Sequence, residues 1–236
     1  MGIMELLSAR LARRARHRRG VEPDELGAAE PVGRFACDDA TLTRCLRDAG
    51  VPVASVWELL EARQPCPEAI PALVAALPQV VDLRIKQAIA RGLAVAEARP
   101  LAAGALWNEF LAAPAWKRRE LQVKWAIGYA LGVASDDSVF GAVESLLRDR
   151  SHGWTRTGLV YGLTHMREQR DSAVALLLDL LEDPDCACDA VTALARLGES
   201  SRARTETSLR HSDPWVRKEV ERALASFEGV SREEKS

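Results

Sequence analysis

Apolar and polar residues alternate with a helical period in an eleven-residue pattern that occurs five times. The copies begin at residues 84, 122, 154, 185 and 215, so they are 38, 32, 31 and 30 residues apart. The second, sixth, ninth and tenth positions of each copy fall on one stripe of an α-helix. The tenth position is always leucine, and the ninth is always glycine or alanine. The pattern therefore predicts five amphipathic helices, each with a buried stripe that a neighbouring helix approaches closely.

A second apolar segment precedes each copy, and a proline or glycine separates the two segments. These preceding segments span residues 67–77, 101–112, 138–147, 172–181 and 200–209. A helix–turn–helix unit repeated at such spacing is typical of a solenoid, in which each unit buries its apolar face only against its neighbours. Two further helices, near residues 39–47 and 53–62, are predicted to cap the first unit.

The last copy carries the most specific motif, HSDPWVRKEVERALASF from His211. Its Asp-Pro-x-Val-Arg opening and its Ala-Leu pair resemble the HEAT-like repeats, in the short form also called phycobilisome-lyase-type repeats. The resemblance covers residues 67–227. It implies an all-α fold, a right-handed α-solenoid (α-α superhelix) of about five HEAT-like helical hairpins. It implies almost nothing about function, because such folds carry many activities.

Composition and charge divide the whole chain into five parts. Residues 1–20 form a basic N-terminal helix or tail with a net charge of +5, although the whole chain carries −2. A linker (21–37), N-terminal capping helices (38–66), the five repeats (67–228) and a disordered C-terminal tail (229–236) follow. The tail is interpreted as a solubilising arm, with binding to a polyanion such as nucleic acid or to a membrane surface as alternatives. Its arginines are Arg10, Arg13, Arg14, Arg16, Arg18 and Arg19.

Apolar residues make up 47% of the chain, which excludes global disorder. No apolar run approaches the roughly 20 residues of a membrane span, and the N-terminus lacks an export signal. The five cysteines are odd in number and irregular in spacing, which predicts reduced thiols rather than disulfides or a zinc site. We therefore expect a cytoplasmic protein without a metal or cofactor.

The third position of the pattern forms a candidate basic column. The resemblance implies that such a residue bridges to an acidic group or to helix-end carbonyls of a neighbouring repeat. The alternative is a stripe of cations, each able to meet a phosphate or carboxylate. The column consists of Lys86, Lys124, Arg156 and Arg217, with Ala187 in the fourth copy.

The fourth and eighth positions lie opposite the buried stripe and predict an exposed face on the second helix of each unit. The resemblance implies that this helix lines the concave surface. Aromatic residues cluster there in adjacent repeats, and exposed aromatic clusters tend to mark binding sites. The alternative is that the curvature of the array buries them between helices. The candidate binding residues are Arg91, Trp125, Tyr129, Tyr161, His165, Lys218 and Arg222.

Catalysis finds little support, because no phosphate loop, nucleophile elbow or His-Glu metal motif is present. The first hypothesis is a non-catalytic scaffold that binds a protein partner on its concave surface. The second is a nucleic-acid-binding protein or a DNA glycosylase-like enzyme, since some alkylpurine DNA glycosylases use HEAT-like repeats. No aspartate in the exposed columns accompanies Trp125 and Tyr129, which argues against the glycosylase. Unpaired cations in the groove would favour nucleic acid, and paired cations would favour a protein.

Overall fold

Helices and the loops between them make up the described part of the chain, which contains no strand. The computed structural model describes residues 37–61, 66–99 and 101–197, together with positions 206, 210, 212, 214, 217, 218 and 221. The predicted all-α class is confirmed over these residues. The basic tail, nearly all of the linker and the C-terminal tail lie outside them, and only single positions represent the fifth repeat.

Ten α-helices lie in this part of the chain. They are α1 (Asp39–Asp48), α2 (Val56–Glu61), α3 (Ile70–Ala76), α4 (Leu83–Gly92), α5 (Ala103–Ala112), α6 (Arg118–Ala134), α7 (Phe140–Arg148), α8 (Thr157–Val160), α9 (Arg170–Asp179) and α10 (Ala187–Leu197).

Acidic residues cap several of these helices. The Asp38 carboxylate accepts a hydrogen bond from the Thr41 amide at 2.8 Å, and the Asp82 carboxylate accepts one from the Arg84 amide at 2.6 Å. An aspartate before the first turn satisfies amides that lack a partner within the helix. These caps explain why α1 and α4 begin where they do.

The helices pack as five consecutive hairpins: α1 with α2, α3 with α4, α5 with α6, α7 with α8, and α9 with α10. The second helix of each hairpin also contacts the second helix of the next, in the order α2, α4, α6, α8 and α10. The α1–α2 hairpin, predicted only as a cap, joins this series through α1–α3 and α2–α4 contacts. We call α2, α4, α6, α8 and α10 the inner helices.

The predicted buried stripe is confirmed in the four described copies. Its leucines retain at most 2% exposure, so they form the centre of the packing between hairpins: Leu93, Leu131, Leu163 and Leu194. None of the helices in the described residues is both long and apolar enough to cross a membrane.

The third copy departs from a regular α-helix. A 3-10 segment (Arg150–Arg156) leads into the short α8, and a second 3-10 segment (Tyr161–Thr164) follows it. Gly153 interrupts the first segment with φ 54° and ψ −144°, a left-handed backbone that favours glycine. Gly158 and Gly162 further lower the α-helical propensity of this copy.

Candidate functional site

Four aromatic side chains form a continuous line of ring contacts from α6 to the 3-10 segment after α8. The Trp125 and Tyr129 rings stack with centroids 5.7 Å apart and planes 16° apart. The Tyr129 and Tyr161 rings lie 5.9 Å apart at 33°, and the Tyr161 and His165 rings meet edge-on at 4.7 Å. We call these four residues the aromatic ladder. The structure thus brings together four of the candidate binding residues, which were predicted from the fourth and eighth positions and, for His165, from an extension by one helical turn.

Trp125 lies deeper than the sequence predicts. Its side chain is 8% exposed, and its indole Nε1 donates a hydrogen bond to Thr157 Oγ1 at 3.1 Å. The prediction that Trp125 is an exposed residue is therefore wrong. Tyr129, Tyr161 and His165 are half-buried and keep part of their surface open to solvent.

Close backbone packing between α6 and α8 explains this burial. A Cβ on Gly158 would stand 2.5 Å from Tyr129 N, and one on Gly132 would stand 2.7 Å from Gly158 O. A Cβ on Gly162 would meet Gly132 O at 2.6 Å. Only glycines permit the two helices to approach this closely. Because α8 lies directly against α6, it covers the indole of Trp125, which a helix at ordinary spacing would leave in solvent.

Two arginines that were not among the predicted site residues flank the ladder. The exposed Arg196 holds its guanidinium carbon 4.9 Å from the Tyr161 ring centroid, a cation–π geometry. Arg99 donates from Nε to the carbonyl of Val133 at 2.7 Å. Arg196 follows the eighth position of its copy by four residues, as His165 does in the third copy. Extending the eighth position of the fourth copy by one helical turn would therefore have identified Arg196 as well.

These arginines influence the titration of the ladder. The pKa of His165 is lowered by burial and by the positive charges of Arg99 and Arg196. The pKa of Tyr129 is raised by burial and by Tyr161, while Arg196 acts in the opposite direction. Burial and the neighbouring cations thus both disfavour the charged form of His165.

The basic column does not form an open stripe of cations. Arg156 is 1% exposed and donates to Leu147 O at 2.6 Å and to Asp183 Oδ2 at 2.7 Å. Lys86 pairs with Glu109 of the following hairpin. Both make the type of bridge that the HEAT-like resemblance implies. The alternative expectation of successive phosphate-binding cations fails at Arg156, because solvent does not reach its side chain.

Lys124 is also enclosed. It is 5% exposed, its Nζ donates to Ala113 O at 3.5 Å, and the ammonium lies 4.9 Å from the Phe110 ring centroid. Burial lowers its pKa, although the charge of Asp149 acts in the opposite direction. Lys124 is therefore a second member of the basic column that a phosphate cannot reach.

The remaining candidates lie apart or outside the described residues. Arg91 is exposed in the last turn of α4, and Lys218 is exposed. Arg217 is half-buried and donates to Ser212 O at 3.0 Å. Arg222 is not described. Within the described residues, no group of three His, Cys, Asp or Glu side chains could hold a metal ion.

Comparisons with known proteins add nothing to this geometry: no family model matches the chain, and neither the curated proteins nor the solved structures contain a match.

Proposed function

We propose that this protein is a non-catalytic α-solenoid of HEAT-like hairpins that binds a protein partner on its inner helices. The ordered contacts from α2 to α10 support the solenoid, because the main contacts of each hairpin in the described series are with its neighbours. The partner contacts the face on which the half-buried side chains of Tyr129, Tyr161 and His165 remain open to solvent, with Arg196 beside them.

The observation that carries this proposal is the aromatic ladder. It joins α6 to the 3-10 segment after α8, and the exposed Arg196 lies over its Tyr161 ring. Tyrosine, tryptophan and arginine dominate the residues that contribute most to protein–protein binding. The Tyr129 and Tyr161 rings restrict each other by mutual contact, so these two side chains would lose little conformational entropy when a partner binds.

Nucleic acid is the second candidate, because no acid in the described residues forms an ion pair with Arg91, Arg99 or Arg196. Proteins that bind single strands offer aromatic faces on which bases stack. Trp125 has little open surface, and Tyr129 already turns toward both Trp125 and Tyr161. Because these rings already contact one another, a base would find little ring face on which to stack, so the ladder suits a protein better.

The glycosylase-like alternative requires an acid beside the aromatic residues. The charged groups that act on His165 are Arg99 and Arg196, and those on Tyr129 include no carboxylate. This arrangement argues against base excision and for simple binding.

The test is affinity capture from a nuclease-treated lysate of the source organism, with the double variant Tyr161→Ala/Arg196→Ala compared with the original chain. We expect the double variant to lose at least about tenfold in capture, as hot-spot truncations do. Trp116→Ala is the matched control, because Trp116 is 90% exposed and lies outside the ladder. It should capture the same proteins as the original chain.

A second variant separates binding from folding. Arg196→Ala alone removes an exposed side chain, so its melting temperature should match that of the original chain. Equal capture by the original chain, the double variant and Arg196→Ala would contradict the proposed face. Capture that occurs in a parallel lysate without nuclease, and disappears in the nuclease-treated lysate, would favour nucleic acid instead.

A further inference from the structure

Positive charge collects at one end of the aromatic ladder. Arg196 lies over Tyr161, and the charges of both Arg196 and Arg99 act on His165. Arg99 uses its Nε to hold Val133 O, and no residue in the described ranges accepts a hydrogen bond from its Nη groups. The Arg196 guanidinium and the His165 imidazole therefore both contact the Tyr161 ring, and the Arg99 charge acts on the same imidazole.

Three acids, one in α6 and two directly after it, hold backbone amides with their carboxylates. The Asp136 carboxylate accepts from the Ser138 amide at 3.0 Å, and that of Asp137 accepts from the Gln169 amide at 3.0 Å. Glu120 caps the opposite end of α6 through the Trp116 and Lys117 amides. Asp189 of α10 has an interaction of its own. The described ion pairs leave Arg99 and Arg196 without a carboxylate partner.

This end of the ladder therefore has two guanidinium groups that form no ion pair with a carboxylate of the described residues. Guanidinium groups bind carboxylates through paired N–H donors. Tyrosine hydroxyl groups donate to the same acceptors. Arginines and tyrosine hydroxyl groups both favour an anionic occupant over a neutral one.

We infer that the partner segment is an acidic, extended peptide whose carboxylates pair with Arg99 and Arg196 while its apolar side chains lie on the aromatic ladder. This inference rests on the proposed function, since it names the chemistry of the partner at that same face.

The experiment is fluorescence anisotropy with the full chain at low ionic strength and three labelled probes. The first is a short peptide in which glutamate alternates with leucine, the second has glutamine at each glutamate, and the third is an oligothymidylate of similar length. We expect the glutamate peptide to bind at least about tenfold more tightly than the glutamine peptide, and to weaken as salt is added. We expect the oligothymidylate to bind more weakly than the glutamate peptide.

Two arginine variants locate the binding. Arg196→Gln should weaken the glutamate peptide by about fivefold, the upper range for an exposed charge pair. Arg84→Gln is the matched control, because Arg84 is an exposed arginine in the first turn of α4 that pairs with Asp82 and contacts no ring of the ladder. It should leave the affinity unchanged. Equal weakening by both substitutions would overturn the assignment to this face, since only the overall charge would then matter.

The His165 imidazole supplies an independent readout. Its pKa is lowered partly by Arg99 and Arg196, so a carboxylate that neutralises them should raise it. The bound protein then takes up a proton, and the glutamate peptide should bind more tightly as the pH falls through the His165 titration. NMR titration of this imidazole, with and without the peptide, would show the upward shift. An unchanged His165 titration in the bound state would overturn the inference.

The outcomes distinguish this inference from the proposed function. Equal binding of the glutamate and glutamine peptides, both weakened by Tyr161→Ala, would keep a peptide-binding face and overturn its acidic specificity. Preferred binding of the oligothymidylate, weakened by Arg196→Gln, would overturn both in favour of nucleic acid. Absence of binding by the glutamate peptide would overturn the inference, while capture of a protein through Tyr161 and Arg196 would still support the proposed function.

Discussion

At the scale of single residues, the most consequential side chain outside the ladder is Arg156. It is buried between the end of α7 and the start of α10, and Asp183 supplies its counter-charge at 2.7 Å. Asp183 also accepts from the Asp185 amide at 3.0 Å, so one carboxylate both pairs the arginine and caps the next turn. This buried charge pair therefore joins the α7–α8 hairpin to the α9–α10 hairpin. Removing either partner would leave the charge of the other buried and unpaired.

Replacing Asp183 tests that link. Asp183→Asn leaves the Arg156 charge buried and unpaired, so we expect a loss of about 3–5 kcal/mol in the free energy of unfolding. Asp179→Asn is the matched control, since Asp179 pairs with the exposed Arg148, and it should cost about 1 kcal/mol or less. Chemical denaturation of both variants measures the difference. Similar losses in the two variants would contradict a special role for the buried pair.

The same pair predicts a pH dependence. Burial tends to raise the pKa of Asp183, but the hydrogen bonds from Arg156 and the Asp185 amide outweigh it, so the pKa lies below its ordinary value. A depressed carboxyl pKa stabilises the fold above the unfolded value of about 3.9, and this stabilisation is lost as the pH falls toward the folded value. In acid, the stability of Asp183→Asn should therefore fall less steeply than that of the original chain.

At the scale of helices, the contact between α6 and α8 depends on glycine. A Cβ at Gly158 would lie 2.5 Å from Tyr129 N and 2.7 Å from Tyr129 Cα, and neither backbone atom can move aside alone. We expect Gly158→Ala to cost about 1–3 kcal/mol or more, because the two helices must separate. Their separation would also change the spacing of Tyr129 and Tyr161.

Gly104 provides the matched control for this prediction. It lies in α5, and a Cβ there would meet nothing within 4 Å. Gly104→Ala should therefore stabilise the protein by about 0.5–1 kcal/mol, the usual gain of alanine over glycine in a helix. Urea unfolding of the two variants gives the comparison. Stabilisation by both substitutions would show that α6 and α8 are not in close contact.

At the scale of the whole molecule, the series of hairpins predicts uneven stability. The α6 helix packs against α4, α5 and α8, whereas the main contacts of α1 and α2 among the described elements are with each other and with the next hairpin. In a repeat array each unit draws its stability from its neighbours. We expect native-state hydrogen exchange to show lower opening free energies in α1 and α2 than in α6. Uniform protection along the series would indicate one cooperative core instead.

The repeat pattern determined how much of the fold was predictable. Its leucine column predicted the burial of Leu93 and Leu131, and its small ninth position predicted the close approach at Gly162. Both predictions were possible because the exposure of side chains along a helix repeats every 3.6 residues. Such features depend on neighbours along the chain, so they can be read without knowing what lies across the helix.

The sequence by itself thus determined the helices, their buried stripes and the grouping of Trp125, Tyr129, Tyr161 and His165. Only the tertiary structure decided that Trp125 is covered, that Arg156 is enclosed with Asp183, and that Arg196 lies over Tyr161. The physical reason is that the burial of a side chain depends on the distance between neighbouring helices. Helical periodicity gives the direction in which a side chain leaves its helix, whereas its exposure and partners depend on how closely the next helix packs.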